Sequence, residues 1–506
     1  MPIASDSVGY VAEPLLRFGY EQCIDNPKDG LFMFGPLIDE RKPAQMRVGV
    51  VGTQRGIARF SQWVNKITGY IPSAKPDSVH HSAFPGFEAV FRTPWPSTPV
   101  LEIPVSANEI SSRIRIADRH RAIYETVSLF EEPIRRKLRE DDAEVDVWFV
   151  VIPDEVWRLG RPLSKVRVAE RLDVGITMNA RLAQRLRREP SLFQEDMDAA
   201  RLYQFEINFH HQLKARLIDT RAVVQVVRES SFGNVDVDEP VRRLQDPATL
   251  AWNLCTTAFF KAGGRPWKLA NVRDGVCYVG LVFKKNTLNP EAGNACCGAQ
   301  MFLDSGDGLV FKGAVGPWYS EETREFHLKA DDAKKLITMV VKSYVELHGS
   351  PPAELFIHAR TRFNDGEWEG FQAGAGDQIN VIGVRITRSR DMKLFRMGST
   401  PVLRGTTYEM NRTHSLIWTM GYIPKLKTYP GREVPNPLSV EICRGLADLD
   451  VVQNDIMGLT KVNFNACIFA DGLPVTLRFA DAVGEILTAA PAVTQDSPPL
   501  PFRHYI

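Results

Sequence analysis

Four residues in this chain could together hold a terminal phosphate. His210 and Lys214 stand four apart, so a helix would put them on one face. Gln225 follows within an expected strand over 222–227, and Lys261 falls in the last turn of an expected helix over 247–262. A terminal phosphate needs several donors converging on its oxygens, ideally with one or two fixed positive charges. Two lysines, a histidine and a glutamine supply that chemistry. Taken alone, each is ordinary, and a His–Lys pair on a helix more often marks a solvated face.

The elements that would position them follow from hydropathy patterning. An apolar strand over 46–51 leads through Gly52-Thr53-Gln54-Arg55-Gly56 into a helical pattern over 57–67, a strand, Gly-rich turn and helix in the doubly wound manner. The near-continuous apolar run 145–152 reads as a strand buried on both faces of a parallel sheet. A helix over 117–139 lies between these strands. A long helical stretch over 196–217 carries His210 and Lys214. After Lys261 come Gly263, Gly264 and Pro266, a helix stop, which sets a domain boundary near residue 265.

Beyond it, strands are expected over 276–284, 301–303 and 308–313, with a turn over 304–308. A helix over 331–347, strands over 354–359 and 379–387, a β region to about 424 and a last helix over 477–487 complete the pattern. That order suits an RNase H-like layer of mixed sheet and helices. The fold class is therefore α/β: a Rossmann-like domain over 1–265 followed by an RNase H-like domain over 266–506.

Composition removes several function classes. With 506 residues, 44% hydrophobic and 24% charged, the chain reads as an ordinary globular protein. No apolar run approaches the roughly 18–20 residues of a membrane helix. The start lacks a basic segment followed by an apolar one, which predicts no signal peptide and a cytoplasmic protein. Seven cysteines, with no CxxC and no Cys/His cluster at zinc spacing, read as reduced thiols. A net charge of +1 argues against a protein that coats nucleic acid non-specifically. Arginine and lysine do cluster locally, from Arg158 through Arg171 and from Arg181 to Arg188. By themselves such runs usually mark a solvated helix face.

The order His210-xxx-Lys214, Gln225 eleven residues on, and Lys261 within Phe-Phe-Lys-Ala-Gly-Gly-Arg-Pro-Trp-Lys-Leu resembles the MID domain of Argonaute proteins. The likeness extends along the chain through Asn-Ala-Cys-Cys-Gly-Ala-Gln-Met-Phe-Leu-Asp, Phe-Ile-His-Ala-Arg-Thr-Arg-Phe-Asn-Asp and the stretch from Val462 to Ala480. It is strongest to short prokaryotic Argonautes, which join a MID to a PIWI domain and work with a partner carrying a TIR effector and an APAZ region. MID-like features begin within the first fifty residues, so the N and PAZ domains of long Argonautes are not expected.

The resemblance implies that His210, Lys214, Gln225 and Lys261 bind the 5′ phosphate of a guide strand. His210 stands where tyrosine is usual. It also implies that the carboxylate of Ile506 reaches the same pocket and holds a Mg²⁺ at the guide's first phosphates, since a carboxylate among phosphates requires a cation. Arg360, Arg362, Arg385, Arg388 and Arg390 become candidate contacts to a guide–target duplex. The family picture is a guide RNA, a complementary single-stranded DNA target from a plasmid or phage, and a heterodimer with the APAZ protein. Higher-order assembly on target binding and NAD⁺ depletion by the TIR partner complete it. Sirtuin-like or nuclease partners remain alternatives.

PIWI domains that cut use a ring of carboxylates to hold two Mg²⁺ ions. The first belongs after the glycine of Tyr278-Val279-Gly280-Leu281-Val282-Phe283, where an aliphatic residue stands. The second belongs at the end of the strand running to Arg360, and no carboxylate appears until Asp365. Asp481 in the last helix is a third. The expectation is therefore a PIWI domain with no catalytic residues. Three rivals are an active guide-directed nuclease, a Rossmann-type nucleotide enzyme suggested by Val48-Gly49-Val50-Val51-Gly52, and a structural scaffold.

Overall fold

The computed structural model describes all residues except 1–6, 141, 174–177, 234–245, 272, 285–293, 303–307, 311–314, 317–324, 430, 432, 492–499 and 506. Two sheets carry the two halves, with a small three-stranded sheet beside them.

The first sheet holds β1 (Val48–Gly52), β2 (Leu101–Pro104), β3 (Val147–Ile152) and β4 (Val224–Arg228) in the order β2-β1-β3-β4. All its pairings are parallel. This is a doubly wound layer. Its helices follow from alternating faces. Val50 and Phe149 pack with Phe60 and Trp63 of α1 (Gln54–Ile67). Val150 and Trp148 pack with Ile110 of α2 (Ala107–Ile114) and with Val127 and Phe130 of α3 (Arg119–Glu140). Every residue of β3 is buried, as its unbroken apolar run requires.

Between β3 and the helix that carries His210 and Lys214 lie α4 (Asp154–Leu159), α5 (Ala180–Arg188) and α6 (Gln194–Leu202). The single helix expected over 196–217 is in fact two, α6 and α7 (Phe209–Leu217). The break has a local cause. Asn208 caps α7, its side-chain oxygen accepting from the amides of His210 (3.1 Å) and His211 (3.3 Å). An asparagine that satisfies first-turn donors favours a helix start over a helix interior. α8 (Pro247–Lys261) follows β4 and ends where Gly263 takes a positive φ of 101°.

Among the described residues the second sheet has eleven strands. Its centre is β5 (Val276–Lys284), β6 (Asn294–Phe302), β7 (Gly308–Val310), β8 (Glu354–Ala359) and β9 (Asn380–Arg388). The order β7-β6-β5-β8-β9 has an antiparallel trio followed by two strands parallel to β5. That is the RNase H-like arrangement. One face packs on α9 (Ala330–His348) and α10 (Asp365–Ala375), through Val279, Leu281 and Ile357 against Leu336, Val340 and Phe371. The opposite face joins Tyr278, Val282 and Phe356 to the core that holds α11 (Leu449–Leu459) and α12 (Val475–Leu487). β6 begins well before the expected residue 301, and the expected turn over 304–308 lies almost wholly outside the described residues.

Both ends of the chain add strands to the second sheet, and the N-terminal one ties the first half to it. Val8–Tyr10 adds to the second sheet beside Thr406–Asn411. Leu500–Pro501 pairs with β7 at the other edge. Glu13 lies between Arg404 (2.9 Å) and Lys461 (2.8 Å), whose side chains are 3% and 0% exposed. Sheet membership thus does not follow a single cut near residue 265.

Candidate nucleic-acid interface

α7 brings His210 and Lys214 onto one side, as the four-residue spacing requires. Lys214 is buried at 3% exposure, and its ammonium donates to the Tyr505 carbonyl at 3.3 Å. Lys261 ends α8 at 1% exposure and donates to the Val224 carbonyl (2.8 Å) and to Gln225 Oε1 (2.7 Å) on β4. The four expected pocket residues are therefore drawn from α7, β4 and α8 into one place. His210 feels both lysines electrostatically and Lys261 feels Lys214.

Burial acts on each of the described cations here. Burial pulls Lys214 down to about 7. Burial, and then Lys214, lower Lys261 well below its ordinary value. Burial, Lys214, His211 and Lys261 hold His210 well below the usual histidine range. Among the described residues the partners of Lys261 are a backbone carbonyl and an amide oxygen, with no carboxylate. A buried ammonium bonded only to neutral oxygens, as at Lys261, is costly, and an anion is what relieves it.

Sequence spacing could not show what the end of the chain adds. Phe502–His504 forms a short turn that packs against α8. His504 is buried, held by the Ala222 backbone, and lowered to about 4 by burial and then by Arg503, with Lys261 and Arg221 acting in the same direction. Gly263 is required here twice over. Its φ is positive, and a Cβ would lie 2.9 Å from the Arg503 guanidinium. Lys214 meets Tyr505 across a separation of 291 residues, a contact with no local signature. Ile506 itself lies outside the described residues. The described groups do not make a Mg²⁺ site by themselves. Their charges are positive, and the Tyr505 and Gln225 oxygens already accept from the lysines, whereas Mg²⁺ takes oxygen ligands that usually include carboxylates.

The candidate duplex arginines gather at the ends of β8 and β9, where Ala359 pairs with Arg385. Arg362 (2.7 Å) and Arg385 (3.4 Å) share Glu441, and Arg385 also donates to the Arg360 carbonyl at 3.3 Å. Burial opposes ionisation of Glu441, yet the two arginines hold its carboxyl below the ordinary value. Arg388 and Arg390 lie farther along, exposed. Glu441 therefore engages Arg362 and Arg385, while Arg360, Arg388 and Arg390 are exposed.

At the expected metal-binding ring, β5 and β8 run parallel with Gly280 opposite His358. Both face α12. His358 is buried, bonded to the Thr476 hydroxyl at 2.9 Å, and lowered to about 3 by burial, so it is neutral. A Cβ at Gly280 would collide with the Thr476 carbonyl. By alternation the next positions on this face are Val282 and Arg360. Val282 is buried with apolar neighbours, and Arg360 is exposed. Asp365 begins α10 and is bound to Arg444. Asp481 lies on α12, and its side chain falls outside what is described. Among the described residues no three His, Cys, Asp or Glu side chains group where they could hold a metal ion.

The nucleotide-enzyme alternative meets a specific obstacle. A cavity of about 710 Å³ does lie at the carboxyl ends of β1, β2 and β3, lined by Thr53, Arg55, Ser106, Glu155 and Glu229 among others. In dinucleotide folds the pyrophosphate sits at the N-terminus of the first helix. Here Glu229, 2% exposed, occupies that end of α1, accepting from Thr53 and pairing with Arg55 at 3.3 Å. The protein supplies its own anion where the ligand's would go.

No protein-family model matches the sequence, and no curated protein does. Solved structures do. The chain is similar to the Clostridium butyricum Argonaute bound to a guide DNA with a 5′ deoxycytidine and a 19-mer target DNA. The TM-score is 0.62 at 14% identity, over 99% of this chain and 54% of that one. It is also similar to Aa-Ago with externally bound siRNA, with TM-score 0.54 at 12% identity over 98% of this chain and 56% of the other. A further A. aeolicus Argonaute structure gives TM-score 0.52 at 12% identity, over 97% and 54%. The chain spans about half the length of these neighbours, and none of its helices is long and apolar enough to cross a membrane among the described residues. Its mixed α/β architecture, a Rossmann-like layer followed by an RNase H-like one, is the MID–PIWI fold of Argonaute proteins.

Proposed function

We propose that this chain is a short prokaryotic Argonaute that binds a guide RNA by its 5′ phosphate and recognises complementary single-stranded DNA without cutting it. The observation that carries the reading is the buried pair Lys214 and Lys261, brought together with His210 and Gln225 beside the end of the chain. Each lysine can turn its ammonium toward a phosphate oxygen at the cost of a bond to a carbonyl, and each gains a charge-assisted bond in exchange. In this reading the Ile506 carboxylate would hold a Mg²⁺ ion, whose charge would offset the repulsion between that carboxylate and the guide's phosphates, and EDTA would lower guide affinity.

The absence of cleavage rests on Val282 and Arg360. A two-metal hydrolysis needs carboxylates at these places to hold the ions. An aliphatic side chain holds no cation, and an arginine repels one. Base pairing then supplies sequence recognition while the protein holds the duplex by its backbone, as in other guided systems. Arg388 and Arg390 suit such contacts better than Arg362, which Glu441 already engages.

Guide and target binding would be passed to an APAZ-containing partner in a heterodimer, with a TIR effector that depletes NAD⁺ after further assembly. A sirtuin-like or nuclease effector would serve the same guide-binding role. The test is direct. Protein with its partner is loaded with a 5′-phosphorylated RNA and given labelled matched or scrambled single-stranded DNA in Mg²⁺ and then Mn²⁺. Retention of the matched strand at full length, with loss of NAD⁺, supports the reading. Shortened target would make the chain a nuclease.

A further inference from the structure

Phe395 and Met397 stand in solvent at 74% and 95% exposure. They lie on the connection that leaves β9 at Arg388 and returns to the second sheet at Thr406. That connection is anchored. The Ser389 amide donates to the Pro437 carbonyl at 3.0 Å, and the Lys393 ammonium donates to the Val434 carbonyl at 2.9 Å. Met392 and Leu394 are partly buried and pack on a small core of Val402, Leu416 and Trp418. Alternation along an extended chain then sends Lys393 and Phe395 outward. The ring is therefore held out on a fixed backbone. Single exposed apolar residues are ordinary on a protein surface, but two so close together, set among cations, make a surface with its own chemistry.

The surroundings are basic. Residues 388–396 hold Arg388, Arg390, Lys393 and Arg396 against one acid, Asp391, in a chain whose net charge is only +1. β8 and β9 run parallel, so Arg360, which follows β8, lies at the same end of the sheet. Charged residues are depleted at the centre of protein–protein interfaces. A partner that is polyanionic and also presents flat apolar faces is nucleic acid, and an aromatic side chain in a basic setting grips a single strand without regard to sequence. A base inside a duplex has both faces covered by its neighbours. A base beyond the end of the duplex has a face to offer.

We propose that Phe395, with Met397 beside it, stacks on a base of the target strand where that strand runs unpaired beyond the guide–target duplex. The inference rests on the guide-binding reading and adds a contact to base rather than to phosphate. Arg388 and Arg390 hold the adjoining phosphates. Such a contact tolerates any base, since every base has a π face, but it does not tolerate the loss of the base.

The test uses protein loaded with a 5′-phosphorylated RNA and a complementary DNA that carries a short run of unpaired thymidines at one end or the other. In a matched set the unpaired run consists of abasic sites, which keep the phosphates and remove the bases. Wild type should bind the base-bearing extension more tightly than the abasic one, at one end of the target, by roughly five- to 150-fold. Phe395→Ala should abolish that difference and Phe395→Trp should keep it. All three proteins should bind the target without an extension equally, which separates the contact from folding. Added salt should weaken both extensions alike and leave their ratio nearly unchanged, because the phosphates are common to both. No difference in wild type, or a difference that survives in Phe395→Ala, overturns the proposal. Loss of a co-purifying protein from Phe395→Ala with the base preference intact also overturns it, and assigns the surface to that protein. A wild type with no preference for 5′-phosphorylated RNA would instead sink the pocket reading, a distinct outcome.

Discussion

Because burial brings Lys214 to about 7, guide binding should take up protons at neutral pH. In the free protein this lysine loses its proton as pH rises through about 7. A bound phosphate restores the charge, so affinity falls as pH rises. If the bound lysine stays charged throughout, the fraction ready to bind drops roughly 25-fold between pH 6.5 and 8.5. The phosphate's own second ionisation near pH 6 opposes this only slightly. The net loss should be roughly twentyfold, or about 1.8 kcal/mol. Lys261, lowered by burial and by Lys214, adds to the effect in the same direction. Calorimetry of a 5′-phosphorylated RNA in two buffers of different ionisation enthalpy should show uptake of at least about half a proton at pH 7. A 5′-hydroxyl RNA should show neither the uptake nor the slope. Flat affinity from pH 6.5 to 8.5, or the same slope with both RNAs, would refute the reasoning.

Lys261→Met should weaken 5′-phosphorylated RNA by about 1.5–3 kcal/mol, ten- to a hundredfold or slightly more, and leave 5′-hydroxyl RNA nearly unchanged. The free protein should tolerate it, since a costly buried charge leaves with the bonds to Val224 and Gln225. Glu13→Ala strips the carboxylate from buried Arg404 and Lys461 and should cost about 3–5 kcal/mol, seen as a clear fall in melting temperature. Gly280→Ala forces α12 away from β5 at the Thr476 carbonyl and should cost about 1–3 kcal/mol or more, by the same assay.

Much of the architecture was legible because it is local. The apolar run of β3, the stop after Lys261 and the long helix α9 each carry their own signal in hydropathy and punctuation. The pocket was legible as residue types, since the four-residue spacing of His210 and Lys214 survives folding. What sequence could not show was long-range. The pairing of Val8–Tyr10 with Thr406–Asn411 depends on a partner nearly four hundred residues away, and short strands have little pattern of their own. The approach of Tyr505 and His504 to the lysines is of the same kind. The break between α6 and α7 did have a signal, the capping asparagine at 208, hidden inside an otherwise helical pattern. Glu441 beside Arg362 and Arg385 is another cross-strand fact, and it divides five similar arginines into engaged and exposed.

The central claim is that the buried lysines exist to hold a terminal phosphate. It is tested most directly by the affinity of a short RNA with and without its 5′ phosphate, measured on wild type and on Lys214→Ala/Lys261→Ala with the partner co-expressed. Loss of two charge-assisted contacts should cost on the order of 3 kcal/mol or more. The account predicts a preference for the phosphorylated RNA of at least a hundredfold in wild type, abolished in the double variant. Equal binding of the two RNAs by wild type would contradict it.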